Sequence, residues 1–357
     1  MSELWFQPVK IGNLESRNRF LMAAVCDQLD HDPEARIRRF AALAAGGIGL
    51  IVSGATTFSD FPTWQKVMEA VHRSGGKMAV QLIADKLAGF AVSSPDPGSP
   101  YPARGWITPL PPNIPAFSEK QIASLIAGFA RKAALAREAG ADGIEIHAAH
   151  SSLPAQFLSP ETNRRQDRWG GELENRLRFH REIIRAIKTA AGADFPLIVK
   201  LGLEDAPCYP QGLKLAEGLE AARILSNETP ADALEISQGL QDFGPQPGKP
   251  PLYYTPLRPG IKTVEDEAYF ASWAQQVKTL TVKTVISTGG YRSLSVCARA
   301  LEQGQADLIG MCRPFIREAG LVNRWQAGDT AKAQCLSCNR CALEAGAGRP
   351  PYCVFNR

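Results

Sequence analysis

The feature that most restricts this chain is an alternation. Eight short runs rich in Val, Ile and Leu, at residues 19–25, 48–54, 77–82, 143–147, 196–201, 233–239, 284–290 and 307–313, predict strands. Between and after them, apolar residues recur at helical spacing near 34–45, 63–74, 118–139, 172–191, 213–226, 264–280, 294–303 and 315–326. Ser118, with Gln121 three residues on, reads as an N-terminal cap, and Gly140 and Gly304 read as C-terminal stops. Consecutive parallel strands need a helical crossover, so eight such units in series predict an α/β chain folded as a (β/α)8 TIM barrel. A doubly wound sheet is the rival, but it usually has fewer strands. It also opens on a Gly-rich turn, where this chain has Ala23-Ala24-Val25-Cys26.

At 357 residues, 45% hydrophobic and 21% charged, the composition is that of a soluble globular protein and excludes disorder, collagen and coiled coil. The barrel is expected over residues 1–328, followed by a short cysteine-rich extension at 329–357. The net charge is only +4, and no Lys/Arg run is interleaved with aromatics, so no nucleic-acid partner is expected. The start, Met1-Ser-Glu-Leu-Trp-Phe6, is not a signal peptide, and no apolar run is long enough for a membrane span. A cytoplasmic enzyme or carrier acting on a small molecule is expected. Two Pro- and Gly-rich stretches, 85–117 and 240–262, follow the third and sixth predicted strands. In a barrel they belong to the face that carries active sites, where they either cover a ligand or simply connect elements.

Three groups of residues point to chemistry. His147 ends the fourth strand and His150 lies one turn later, so both imidazoles can enter the barrel mouth and polarise one substrate oxygen. The pair can also bind a metal, although no third ligand stands nearby, or serve as hydrogen-bonded core histidines. After the seventh and eighth strands come Ser287-Thr-Gly289-Gly290 and Gly310-Met-Cys312-Arg313-Pro314, where a barrel commonly holds a phosphate. The two glycines permit close approach of backbone N–H groups, and Arg313 supplies charge; a plain turn is the alternative. Finally, four of the eight cysteines crowd the last 23 residues. Cys335, Cys338 and Cys341, with Cys353 after eleven further residues, have the spacing of a [4Fe–4S] cluster site. Zinc, which also accepts four thiolates, is the alternative.

The segment Asp142-Gly-Ile-Glu-Ile-His-Ala-Ala-His150, continuing through Gln156-Phe-Leu-Ser-Pro-Glu-Thr-Asn-Arg-Arg-Gln-Asp-Arg-Trp-Gly-Gly171, resembles the old yellow enzyme family of FMN-dependent ene reductases. The resemblance extends to Asn18–Cys26 as the first strand, to Gln81-Leu82 and to Met311-Cys-Arg-Pro314. It implies that Ala23, Ala24, Val25 and Cys26 lie beside a flavin, with Ala55 behind it. It also implies that Gln81 bonds the pyrimidine edge and that Lys200 stands near N1 and O2, where a cation stabilises the reduced ring. Cys26 matches a cysteine that tunes the flavin in one subclass, or else is a small buried hydrophobe. The tail array resembles the dienoyl-CoA reductase and trimethylamine dehydrogenase branch, which carries an iron–sulfur cluster just after its barrel. A homo-oligomer is implied in the same way.

The chain departs from the family pattern in three places. Ser152 replaces the usual proton-donating Tyr and is a poor acid at neutral pH; Tyr101, Tyr209, Tyr253 and Tyr254 are alternative donors. Ile83-Ala-Asp-Lys-Leu87 replaces the usual continuation of the third strand, and Cys312 replaces a glycine, though its backbone N–H can still serve. The expectation is an FMN oxidoreductase that reduces an activated C=C bond, with NAD(P)H as reductant and a possible feed through the cluster. The alternative is a flavin/iron–sulfur dehydrogenase or electron-transfer subunit working with a separate redox partner protein.

Overall fold

The structure is a computed structural model that describes residues 3–54, 56, 58, 60–85, 90–93, 114–241 and 256–356. A short antiparallel hairpin, β1 (Val9–Ile11) and β2 (Leu14–Ser16), precedes eight parallel strands. These are β3 (Phe20–Met22), β4 (Leu50–Val52), β5 (Lys77–Leu82), β6 (Gly143–Ala148), β7 (Leu197–Gly202), β8 (Ala233–Ser237), β9 (Thr284–Thr288) and β10 (Leu308–Met311). They pair in chain order, and β10 returns to β3, so the barrel closes as the alternation predicts. Five of the predicted strands, 19–25, 48–54, 233–239, 284–290 and 307–313, overran at their C-terminal ends, where the chain turns into the mouth loops, while those at 77–82, 143–147 and 196–201 ended within one residue of the observed strands.

The helices follow the predicted order with local differences. The Glu119–Glu138 helix begins at a capping box between Ser118 and Gln121. The segment predicted at 172–191 is split at Leu177 into Leu173–Arg176 and Arg178–Ala191, and the one predicted at 264–280 shortens to Ala271–Lys278. Among the described residues no helix is long and apolar enough to cross a membrane.

Alternation along each strand sorts the core into two shells. Outward residues such as Ile144, Ile146, Val199, Leu234 and Ile309 join the helices in the larger cluster. Inward residues Leu21, Leu50, Ala79, Ile198, Ala233, Ile286 and Leu308 fill the lower barrel, and Ile11 and Leu14 of the hairpin join that inner cluster. Two residues further along the strands, the inward positions turn polar: Gln81, Lys200, Glu235 and Thr288. The apolar floor thus carries a polar upper layer at the end where the site lies.

The opposite end has a repeated clamp. An Ala-Asp dipeptide precedes β6, β8 and β10, and each Asp accepts the first amide hydrogen bond of the neighbouring strand while pairing with a lysine. Asp142 takes Met78 N and Lys77 Nζ, Asp232 takes Leu197 N and Lys188 Nζ, and Asp307 takes Val285 N and Lys278 Nζ, all at 2.7–2.9 Å. Asp232→Ala strips the nearly buried Lys188 of its carboxylate and a strand amide of its acceptor. It is expected to cost about 2–4 kcal/mol in urea unfolding. The groups at the C-terminal ends of the strands should keep their places in the folded fraction, because the clamp lies at the far end of the barrel.

Candidate active site

A cavity of about 490 Å³ opens at the C-terminal ends of the strands. Ala23, Ala24, Val25 and Cys26, directly after β3, form one wall, and Lys200 of β7 faces into it. Gly289, Gly290, Cys312 and Arg313 form another side. Gly289 and Gly290 have φ of 129° and 84°. A Cβ at either would come within 2.6–2.7 Å of the Tyr269 ring, so the pair both permits the turn and makes room for that aromatic. The Arg313 guanidinium, mostly buried, donates to the Arg258 carbonyl at 3.0 Å and to Asn339 Oδ1. Ala55, Tyr101, Tyr253 and Tyr254 lie outside the described residues.

His150 lines the cavity, and its ring meets that of His147 edge to face, 5.0 Å between centroids at 82°. His150 Nε2 lies 2.6 Å from Ser237 Oγ at the end of β8. The turn itself is left-handed at two non-glycine residues, His150 (φ 54°) and Ser151 (φ 62°). It is held there by His150 N donating to the Gln238 carbonyl at 3.0 Å and Gln241 N donating to Ser151 Oγ at 2.9 Å. Burial, reinforced by the Lys200 charge, lowers the His147 imidazolium to about 3. Burial, His147 and Lys200 hold His150 well below its usual range as well. Both rings are therefore neutral near pH 7, and each presents an N–H without bringing a positive charge.

Four of the expected residues do not line this cavity, and the first is His147, whose neighbour His150 does. Ser152 does not line the cavity: its buried hydroxyl donates to the His147 carbonyl at 2.6 Å, a local bond that shapes the turn after β6. Tyr209 does not line it either; it is buried, with its hydroxyl donating to the Gln241 carbonyl at 3.0 Å. Gln81 also stands away from the cavity surface, its amide donating to Glu145 Oε1 at 2.6 Å. Three residues at or beside the site were overlooked. Tyr269 lines the cavity, its hydroxyl donating to the Pro256 carbonyl at 2.5 Å, and Arg258 stacks over its ring at 4.3 Å. Glu145 and Glu235, both fully buried, sit beside Gln81 and Lys200. A charged residue at the same place in two apolar strands, Gly-Ile-Glu-Ile-His and Ala-Leu-Glu-Ile-Ser, was the visible signal.

The long motif after His150 works mainly as a staple. Asn163 Nδ2 donates to the carbonyls of Phe157 and Trp169 at 2.6 and 2.7 Å, and Arg165 reaches those of Val92 and Phe117 at 2.9 and 2.8 Å. It ties the loops around the mouth and brings no reactive group into the cavity.

The tail folds back over the mouth. Gly260 N donates to the Ser337 carbonyl at 3.1 Å and Gln28 Nε2 to the Ala345 carbonyl at 3.1 Å, while Cys341, Ala342 and Ala345 line the cavity. Ser337 and Asn339, both at positive φ, wrap the loop so that Ser337 N donates to Cys335 Sγ at 3.4 Å. Burial raises the Cys341 thiol, and the Cys335 and Cys338 thiols raise it further. Cys353 lies 4.0 Å from the Arg317 guanidinium. Among the described residues no three His, Cys, Asp or Glu side chains stand close enough together to hold a single metal ion.

Residues 56–331 match the model of the NADH:flavin oxidoreductase / NADH oxidase family. The chain belongs to that family. It is 28% identical over 374 residues to a metal reductase of Desulforamulus reducens, covering 98% of this chain and 53% of the relative. It is also 28% identical over 383 residues to a cinnamate reductase of Clostridium sporogenes, covering 93% and 54%. The structure of histamine dehydrogenase from Rhizobium sp. 4-9 superposes with a TM-score of 0.82 at 25% identity, covering 97% of this chain and 51% of that one. The chain thus spans about half the length of these relatives.

The family is one of flavin oxidoreductases, and the cavity suits FMN: apolar walls for a planar ring, a cation at Lys200, and Arg313 beside a double glycine for a phosphate. Arg313→Ala is expected to weaken FMN retention about tenfold or more, measured by fluorescence of released flavin, since it removes a charged donor. With both histidines neutral, kcat/KM should show no limb from this pair between pH 5 and 8. Titration of either imidazole between pH 5 and 8, followed by NMR of the folded protein, would contradict the assignment.

Proposed function

We propose that this protein reduces an activated C=C bond, with the substrate carbonyl held by His147 and His150. The observation that carries the reading is the neutral, edge-to-face histidine pair at the end of β6, one ring of which faces a cavity suited to FMN. FMN, when bound, supplies the hydride. The histidines would polarise the carbonyl by hydrogen bonding, and burial makes those bonds stronger than in water. The 28% identity to a relative named for reducing cinnamate, itself an activated alkene, supports this choice. NAD(P)H is the proposed reductant, on the family description.

The tail is proposed to hold a [4Fe–4S] cluster on Cys335, Cys338, Cys341 and Cys353, with zinc as the alternative ligand. The spacing and the Ser337 N–H directed at Cys335 Sγ support it. Because Cys341 lines the cavity, a second reading is a dehydrogenase or electron-transfer subunit that exchanges electrons with a partner protein through the tail. Eight cysteines without a disulfide fit a cytoplasmic setting.

Anaerobically purified protein is expected to show flavin bands over broad iron–sulfur absorption, with iron and acid-labile sulfide in equal amounts. It is expected to reduce an α,β-unsaturated carbonyl compound with NADH or NADPH. His147→Ala/His150→Ala should abolish that turnover while FMN stays bound. Turnover that survives the double substitution removes the pair from the mechanism, and zinc in place of iron removes the cluster.

A further inference from the structure

The polar upper layer of the barrel contains an unusual juxtaposition: two fully buried carboxyls, Glu145 on β6 and Glu235 on β8, with one ammonium, Lys200, on the strand between them. Gln81 Nε2 donates to Glu145 Oε1 at 2.6 Å. Lys200 Nζ and Thr288 Oγ1 both donate to Glu235 Oε1, at 2.6 and 2.9 Å. The second oxygens, Glu145 Oε2 and Glu235 Oε2, are buried and receive no N–H or O–H donor among the described residues. Two acceptor oxygens without donors would be costly in so dry a place, and two adjacent carboxylates costlier still. Strand registry and the bonds from Gln81 and Lys200 hold both carboxyls in one buried layer, where one proton held between them would satisfy both oxygens and remove one charge.

We infer that Glu145 is a neutral acid sharing its proton with Glu235, and that the pair positions Lys200 and sets how much positive charge the flavin cavity receives. Burial and the Glu235 charge push Glu145 well above the usual carboxylate range. Burial opposes ionised Glu235, but Lys200 and the shared proton outweigh it and hold Glu235 below its usual value. The remaining groups facing the pair are Gln81 from β5, His147 from β6 and Thr288 from β9, and His147 is neutral. Glu145–H, Glu235 carboxylate and Lys200 ammonium therefore sum to zero, and Lys200 meets the cavity as one half of an ion pair. Glu145 and Glu235 are positioning residues: they act on bound flavin through Lys200, which lines the cavity while they do not. This inference rests on FMN occupying that cavity.

The test uses the holoenzyme. Glu145→Gln is nearly isosteric with the protonated acid, so the midpoint potential of its flavin should match the wild type. Adding Glu235→Gln leaves Lys200 without a counter-charge, which favours the reduced, anionic flavin. The reduction equilibrium should rise tenfold or more, about 30 mV for a two-electron couple. The wild-type minus Glu145→Gln infrared difference spectrum should contain a carboxylic acid C=O band that shifts in D2O. An absent band overturns the shared proton, and a raised potential in Glu145→Gln shows that Glu145 was ionised. A double variant with unchanged potential removes the role of Glu235. If the double variant does not fold, the band and the single variant still decide. The band is read whether or not flavin is retained, so failure of the cofactor assignment is distinguishable from failure of the acid pair.

Discussion

The structure depends on how a closed eight-stranded barrel fills its own interior. Such a barrel has no free edges, and its interior is just wide enough for side chains, so every inward position must be occupied by something that tolerates complete burial. Here the lower layer is Ile198, Ala233, Ile286 and their neighbours, whereas the layer above is Gln81, Glu145, Lys200, Glu235 and Thr288. A polar layer there is stable only if each donor and acceptor finds a partner, and cross-strand registry supplies them: Gln81 faces Glu145, and Lys200 faces Glu235. The same pairings deliver one ammonium to a cavity that small apolar residues such as Ala23 and Ala24 line together with His150, Tyr269 and Arg313. The charge that would support a reduced flavin is thus a product of core packing.

Above that layer, the chain holds reactive groups still by fixing backbone first. The turn after β6 takes two left-handed residues, a strain of order 1–3 kcal/mol each, and hydrogen bonds to Gln238 and Gln241 at the end of β8 over-determine it. Ser152, by bonding the His147 carbonyl, belongs to the same scaffold. Burial then does the electrostatic part. It removes the positive charge from both imidazoles while leaving them as donors, and the nearby ammonium reinforces the effect.

Legibility in the sequence varied by scale. The eight strands, their parallel order and the capping box at Ser118 were readable because hydrophobic period and cap chemistry are local. The mouth residues Ala23–Cys26, His150, Lys200, Gly289, Gly290, Cys312 and Arg313 were readable because barrel topology sends the ends of strands to one face, and the cavity gathers them. What misled was motif likeness. Ser152 stands where a proton donor is usual, yet its hydroxyl is committed to a carbonyl, and the long Gln156–Gly171 motif works mainly as a loop staple. The carboxyls Glu145 and Glu235 carried a visible signal, a charge inside an apolar strand, but only strand registry shows that they meet.

By itself, then, the sequence determined the barrel, the face that carries the site and the kinds of group available there, since each follows from periodicity, chain order and residue chemistry. Only tertiary structure decided which groups touch, which hydroxyls are already bonded, which acids keep a proton and which histidines stay neutral. Those properties depend on burial and on distances between residues far apart in the chain, such as Lys200 and Glu235 or Gln81 and Glu145. No local pattern encodes a desolvation cost.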